Sequence, residues 1–397
     1  MAVNIRKMLS NIKHRKQLLI IALLLGMFSL TIILDQVISS TDSMAMLLVV
    51  LRKSSVYAVV AVSMNLLNGF TGLFSLGQAG FMLIGAYTYA IFTIPQAEKV
   101  GVYRYYNSII NFSFPEFFEN AMGGAGMLLG VIIAILLAGA AAAGAAFLIG
   151  IPVLRLKSDY LAIATLGFAE IIRALFQWSK FGPVTNGSNP LNSYVRLNDF
   201  QIRSGSININ LGTFFIMLLA VLCIGSIVLL VNSSYGRAFK AIREDEVAAE
   251  SMGINLYKHK QLSFCVSSFF AGFGGAMYAM FTNTVQANNF KASMTYEILL
   301  IVVLGGIGSI SGSCIGTLLY ISASEWWLRG LDSGTFLGIN APFIFRNGFR
   351  LVIFSIIIMS VVLFFRKGIM GDKELYHTVE NLLGRTRRTR TGEGNAK

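Results

Sequence analysis

Three consecutive stretches, LGTFFIMLLAVLCIGSIVLLV (211–231), GRAFKAIREDEVAAESMGIN (236–255) and QLSFCVSSFFAGFGGAMYAMF (261–281), decide the class of this chain. The outer two are continuous apolar runs, each matching the roughly 20 residues a helix needs to cross about 30 Å of hydrocarbon. The middle one carries four acids and three bases between Arg237 and Glu250. Strands of a transmembrane barrel alternate over about 10 residues, which these runs do not. The pattern is that of membrane helices joined by a charged loop.

Working outward, the same pattern recurs. Apolar residues make up 55% of the 397 and charged residues 13%, against roughly 25% charged in soluble domains. Candidate spans are 18–38, 50–68, 74–94, 127–151, 159–178, 209–231, 261–281, 295–309, 312–328 and 348–365. The expected fold is an all-α polytopic transmembrane bundle of about ten spans with broken helices. Span 50–68 opens on Arg52-Lys53, and glycines interrupt 295–328, which crosses twice or folds back on itself. No large soluble domain is present in this reading.

The net charge is +13, and twenty of the 32 Lys and Arg fall in 1–17, 152–158, 232–260 and 366–397. With ten crossings all four segments lie on one side, which the positive-inside rule makes cytoplasmic. Both termini are therefore expected there. The division is a basic N-terminus (1–17), a membrane domain (18–368) with a cytoplasmic loop at 232–260, and a basic tail (369–397). The tail GRTRRTRTGEGNAK (384–397) reads as a topogenic segment, and no nucleic-acid partner is implied. The basic start and the apolar run from Leu18 resemble a signal peptide, but Asp35-Gln36 stands where small residues mark cleavage. The segment reads as a retained helix. Cys223, Cys265 and Cys314 sit singly in apolar stretches and form no disulfide framework.

Two apolar segments are broken alike: NGFTGLFSLGQAGFMLIGAY (68–87) and LGGIGSISGSCIGTLLY (304–320). Backbone groups freed by such breaks are tolerated at membrane depth only where protein or a water-filled cavity satisfies them. Matching breaks in the two halves of a chain point to a substrate path; close packing through small residues is the competing explanation. The Gly- and Ala-rich run 127–151 reads as a packing helix, since small residues let membrane helices approach closely.

Catalytic chemistry finds no footing. His14, His259 and His377 all lie in segments placed in the cytoplasm, and neither HExxH nor GxSxG occurs. No Gly-Lys dipeptide exists, so there is no phosphate-cradling P-loop to hydrolyse ATP. Acids within spans are functional candidates by default. Glu170 and Arg173, three apart on one helical face, suit a local ion pair; Glu297 and Glu325 stand alone.

The central segment 236–253 is expected to form one amphipathic helix about 25 Å long. Ala238, Phe239, Ala241, Ile242, Ala248, Ala249 and Met252 share one half of its wheel; Lys240, Arg243, Glu244 and Glu250 share the other. Asp245 and Glu246 intrude on the apolar half, and Gly236 and Gly253 punctuate the ends. Helices lying on an anionic leaflet favour Lys and Arg on the polar face. The mixed charge here suits a protein partner.

Four runs in fixed order, SLGQAGFMLIGAY (75–87), LRLKSDYLAIATLGFAEIIRAL (154–175), GRAFKAIREDEVAAESMGIN (236–255) and EILLIVVLGGIGSISGSCIGTLLY (297–320), resemble permease subunits of branched-chain amino-acid ABC importers, in particular the longer of the paired permeases. The resemblance covers roughly 50–366. It implies a subunit of the bacterial inner membrane that pairs with a second permease, docks two cytoplasmic ATPase subunits and receives solute from an extracytoplasmic binding protein. ATP would be bound by those partners, and the chain itself would hold no cofactor. Such permeases carry a Glu-Ala-Ala…Gly pattern that seats on the ATPase. Here Ala248, Ala249 and Gly253 fit it, while Val247 precedes the alanines, so the acid falls to Glu246 or Glu250. The implied cargo is leucine, isoleucine or valine moved by alternating access; related permeases resemble carriers of urea or other small polar solutes. A secondary carrier or channel is the reading from another class. A zwitterion path would draw on Ser75, Gly77, Gln78, Thr165, Glu170, Glu297 and Ser309. TNGSNPL (185–191) is expected in an external loop, as a turn or a contact for the binding protein.

Overall fold

Apolar runs become helices wherever their length and backbone bonding allow. The computed structural model describes residues 45–156, 158–204 and 207–327, with Asp35 and short pieces at 335–336, 339–340, 355–356, 359 and 368–371. The candidate spans 18–38 and 348–365, the N-terminus 1–17 and most of the tail lie outside the described residues.

Helix α1 (Ala45–Asn65) runs into a π-helical turn at Leu66–Phe70, then into an extended segment, and α2 (Gln78–Thr93) resumes beyond it. The loop that follows holds α3 (Gln96–Val102) and α4 (Phe114–Met122). Then come α5 (Gly124–Val153), α6 (Ser158–Gln177), α7 (Gly212–Val231), the short α8 (Ser234–Glu244) and α9 (Glu246–Ser251), and α10 (Leu256–Phe281). Then follow α11 (Ala292–Gly305) and α12 (Ile310–Ser322), which runs on into a π-helical turn at Ala323–Trp327. Among the described residues strand structure is confined to two small antiparallel ribbons: β1 (Gln201–Ser204) with β2 (Ile207–Asn210), where Gln201 faces Asn210, and β3 (Thr335–Phe336) with β4 (Ile339–Asn340).

Among the described residues five helices are long and apolar enough to cross a membrane: Ala45–Phe70, Gly126–Val153, Tyr160–Gln177, Gly212–Val231 and Leu256–Phe281. The chain is a multi-pass membrane protein. The region 295–328, left open between two crossings and a fold-back, is a pair of helices bent by 119° at the break between α11 and α12. At 1.5 Å per residue the arms, Ala292–Gly305 and Ile310–Trp326, are about 21 and about 26 Å long, each short of the roughly 30 Å of hydrocarbon. A bend beyond a right angle turns the chain back on itself.

Helix α10 lies at the centre, against α5, α2 and α1. Close approach is set by small residues. Ala134, Ala138, Ala142 and Ala146 recur every four residues along α5 and are all fully buried, forming one helical stripe. A side chain at Gly272 of α10 would run into Ala142, and one at Gly85 of α2 would run into the Gly272 carbonyl. Three helices thus meet at one glycine, where packing takes the place of a hydrophobic driving force. By contrast α6 and α7 leave Ile163, Ile171, Leu222 and Leu229 exposed, an apolar outer surface suited to lipid or to another membrane subunit.

Span α1 tolerates its two cations because each has an acid. Arg52 pairs with Asp35 at 2.8 Å and donates to Thr213 Oγ1 at 2.6 Å; Asp35 is only 2% exposed. Lys53 pairs with Glu325 at 2.5 Å and lies over the Tyr57 ring. Intramembrane charges are expected to be matched in this way. In the loop after α6, Asn186 takes the left-handed conformation (φ 62°), and its Nδ2 donates to the Val102 and Pro190 carbonyls at 3.0 and 3.2 Å. Leu191 bridges Val285, so TNGSNPL is a built turn tied to neighbouring loops.

Candidate functional site

The charged segment is not one helix. At Asp245 the backbone extends (φ −159°, ψ 116°), separating α8 from α9 into an elbow. The cause is local: Asp245 is the N-cap of α9, its Oδ1 accepting from Val247 N at 2.8 Å and Ala248 N at 3.0 Å. Helices begin readily where an Asp can satisfy the first free N–H groups. This also explains why Asp245 and Glu246 broke the apolar half of a single wheel.

Gly253 ends the second arm with φ +84°. Its N–H bonds to Glu250 O at 2.9 Å, and Ile254 N bonds to Ala249 O at 3.1 Å. Those two bonds are the Schellman arrangement, which needs a left-handed residue at this position. The spacing Ala248-Ala249…Gly253 therefore reads as one turn of helix plus its stop.

Within the elbow, burial divides the residues sharply. Phe239 is 0% exposed and packs with Val62, Leu66, Phe70, Ile227, Val231 and Ile310. Ile242 and Ala249 are also buried. Ala248, Glu250 and Gly253 face outward, beside Val247 at 75% and Met252 at 84% exposure. Glu246 extends across to Lys260 at the start of α10, with 2.6 Å between the charges.

The seat of the elbow is the first helix break. Phe239 plugs a pocket whose wall includes Leu66 and Phe70 of the π-helical turn. Lys240 lies over the Phe70 ring at 5.5 Å, a cation–π contact. A Cβ on Gly72 would stand 3.3 Å from that of Arg243. The segment that faces outward on one side is thus fastened on its other side to the broken span.

The two breaks also meet each other. Asn65 Nδ2 donates to Ser309 O at 2.9 Å and to Ser313 Oγ at 2.8 Å, and Gly308 N donates to Asn65 Oδ1 at 2.8 Å. Ala79 N, at the start of α2, donates to Thr295 Oγ1 on α11 at 3.1 Å. Gln78 Nε2 reaches Ser63 Oγ at 3.0 Å and Ser267 Oγ at 3.4 Å, while Ser267 Oγ donates to Ser63 O at 2.7 Å. Leu76 N donates to Thr165 Oγ1 at 3.0 Å, and Ser75 Oγ accepts from Gly77 N at 3.4 Å. Side chains of helix and break supply the partners that water would otherwise have to provide.

The structure therefore gathers Ser75, Gly77, Gln78 and Thr165 into one buried knot, and links Ser309 to it through Asn65 and the α1 break. Ser309 caps α12, its Oγ accepting from Gly312 N at 3.0 Å. Glu170 stands apart: it pairs with Arg173 at 2.6 Å and accepts from Ala292 N at 3.2 Å, where α11 begins. Glu297, two residues beyond Thr295 on α11, stands in electrostatic range of Tyr57 and Tyr278.

Several contributors were not singled out from the sequence. Ser263 and Ser267, four apart on α10, had a readable spacing; Ser263 Oγ and Thr71 Oγ1 lie 2.6 Å apart. Asn65 ends an apolar run just before the NGF break. Thr295, Ser313 and Lys260 carry no local signal.

The family model described as "Branched-chain amino acid transport system / permease component" matches residues 46–365. The chain is 32% identical over 292 residues to the high-affinity branched-chain amino acid transport system permease protein LivM of Escherichia coli K12, covering 68% of this chain and 61% of that one. The matched region thus spans less than two thirds of that relative's length. It is 26% identical over 244 residues to the guanosine ABC transporter permease protein NupQ of Bacillus subtilis, covering 60% and 69%. It is 29% identical over 144 residues to the LivH permease of E. coli K12, covering 36% and 42%. No solved structure matches. With breaks and elbow lying inside the matched region, this chain belongs to the branched-chain amino acid transport permease family.

Proposed function

We propose that this protein is the longer permease subunit of an ATP-binding-cassette importer that brings leucine, isoleucine and valine across the bacterial inner membrane. The observation that carries the reading is the elbow, exposed on one side and clamped to a helix break on the other. In this reading α8 and α9 face the cytoplasm and receive the ATPase through Glu246, Ala248, Ala249, Glu250 and Gly253. ATP stays with two partner ATPases, a second permease completes the path, and an extracytoplasmic binding protein delivers solute. Segments 18–38 and 348–365 complete about ten membrane segments, with the basic ends 1–17 and 369–397 both cytoplasmic. The membrane domain 18–368 then works by alternating access: ATPase closure moves the elbow as a rigid body, and the elbow moves the break.

Physical economy supports the assignment of the path. Ser75, Gly77, Gln78, Thr165 and Ser309 lie where two broken helices meet, the arrangement in which freed N–H groups and hydroxyls can take a carboxylate. In the present state these groups satisfy each other, so the knot is closed and must part to admit solute. Glu170 would hold α6 to α11, and Glu297 would lie on the outer approach. NupQ keeps a nucleoside as the alternative cargo class.

The test is uptake in proteoliposomes holding this subunit, its paired permease and both ATPases, with binding protein outside. ATP-dependent accumulation of leucine that ceases without the ATPases supports the proposal. Downhill flux of leucine through the permeases alone, at an undiminished rate, would make it a carrier or channel instead.

A further inference from the structure

A cavity of about 370 Å³ opens between the elbow and the first break, within the size range of small-molecule sites. Its lining has two characters. Leu73, Leu154, Leu156 and Leu161 make an aliphatic wall, and Arg155, Glu246 and Lys260 make a charged rim. Lys260 and Glu246 are paired with each other, whereas the Arg155 side chain has no acidic partner among the described residues. The rim therefore carries one uncompensated positive charge, facing an apolar wall.

A rim of two cations and one carboxylate, over leucines of which Leu73, Leu154 and Leu161 are largely buried and Leu156 is exposed, suits a zwitterion that carries an aliphatic group. We infer that this cavity binds an α-amino acid with an aliphatic side chain, entering from the face that bears α8 and α9, and that its occupancy slows the transport cycle. The carboxylate is held by Arg155 and Lys260, the ammonium by Glu246, and the side chain lies on the leucines. Such a ligand competes directly with the Lys260–Glu246 pair. Glu246 is the first residue of α9, immediately after the elbow's N-cap, so the ligand acts where the two arms meet. A ligand that prefers one position of the elbow shifts the population toward it, and the coupling is reciprocal with whatever drives the elbow from the other side.

The inference rests on the transport reading above, and one experiment separates the two. The complete complex is reconstituted in phosphatidylcholine and phosphatidylglycerol vesicles with the ATPases outward and binding protein plus leucine in the lumen. ATP hydrolysis and leucine efflux are followed while leucine is added outside. Hydrolysis should fall with external leucine, and glycine should act at least about tenfold more weakly. Arg155→Glu and Leu156→Asp should each raise the half-inhibitory leucine concentration at least about tenfold, the scale of one charge-assisted hydrogen bond or one buried aliphatic contact. Lumenal leucine should stimulate both variants as it does the parent. Hydrolysis indifferent to external leucine, or inhibition unchanged in both variants, overturns the site while leaving transport standing. Failure of lumenal leucine to stimulate or leave the vesicle overturns the transport reading itself.

Discussion

Asp245 and Gly253 define the short arm of the elbow between them. Replacing Asp245 by Ala removes two N-cap bonds, a change that costs about 1 kcal/mol in comparable helices. The expected outcome is faster amide exchange confined to 246–251, with α8 unchanged. Equal loosening of α8 would show that the elbow is a single cooperative helix. Gly253→Val should act more severely, since a β-branched residue at φ +84° is strained whatever the surrounding space. Lys99 is a second site where one residue makes a definite statement. It is 2% exposed and donates to the Ile110 and Phe112 carbonyls at 2.6 and 2.8 Å. Burial lowers its pKa from 10.5 to about 8, with Glu116 opposing the shift. The unfolded loop thus binds more protons between about pH 8 and 10.5, so stability of the loop rises with pH across that window and is flat below it. A spin label at Ile109→Cys should become less mobile from pH 7.5 to 9.5; increased mobility would contradict the linkage.

At the level of elements, the long helices were legible from continuous apolar length, and so was the packing role of α5, whose alanines repeat at helical spacing. What the sequence concealed was how the breaks are repaired. Asn65 and Thr295 meet the backbone at Gly308 and Ala79, Ser63 and Ser267 hold the Gln78 side chain, and only folding brings these residues of three different helices together. The elbow was half legible. Of the apolar half, Phe239, Ile242 and Ala249 are buried while Ala248 and Met252 are exposed, because a single wheel hid the cap at Asp245 that turns the second arm. The fold-back of α11 and α12 was flagged by glycines, while its angle depends on tertiary bonds through Asn65. That junction yields a prediction: Asn65→Leu leaves the Gly308 N–H without its partner and removes one of the two bonds of the Ser313 hydroxyl, which still donates to Ser309 O. An N–H orphaned in this way costs about 1–3 kcal/mol. The variant should melt several degrees lower in detergent, and Ser313→Ala added to it should cost less than it does alone. Strict additivity would place the two residues in separate networks.

Across the whole molecule, a chain of contacts runs from an exposed elbow, through Phe239 and the π-helical turn, to a knot of hydroxyls and amides where two broken helices meet. Phe239→Ala empties a fully buried pocket, a change that costs about 3–5 kcal/mol in well-packed cores. Its signature in the folded complex should be uncoupling: ATP hydrolysis retained, leucine moved per ATP reduced severalfold. Proportional loss of both would mean that the residue only supports folding. The central claim, that elbow and break travel together, has a more direct test. Gly72→Cys and Arg243→Cys bring Cβ positions within the reach of a disulfide, in a background where Cys223, Cys265 and Cys314 are replaced. Leucine uptake is compared in the reduced and oxidised forms of the same double variant, so any strain at Gly72 is common to both. The cross-link is expected to leave uptake essentially unchanged. Uptake abolished on oxidation and restored on reduction would show that the elbow must slide over the break, and would contradict that claim.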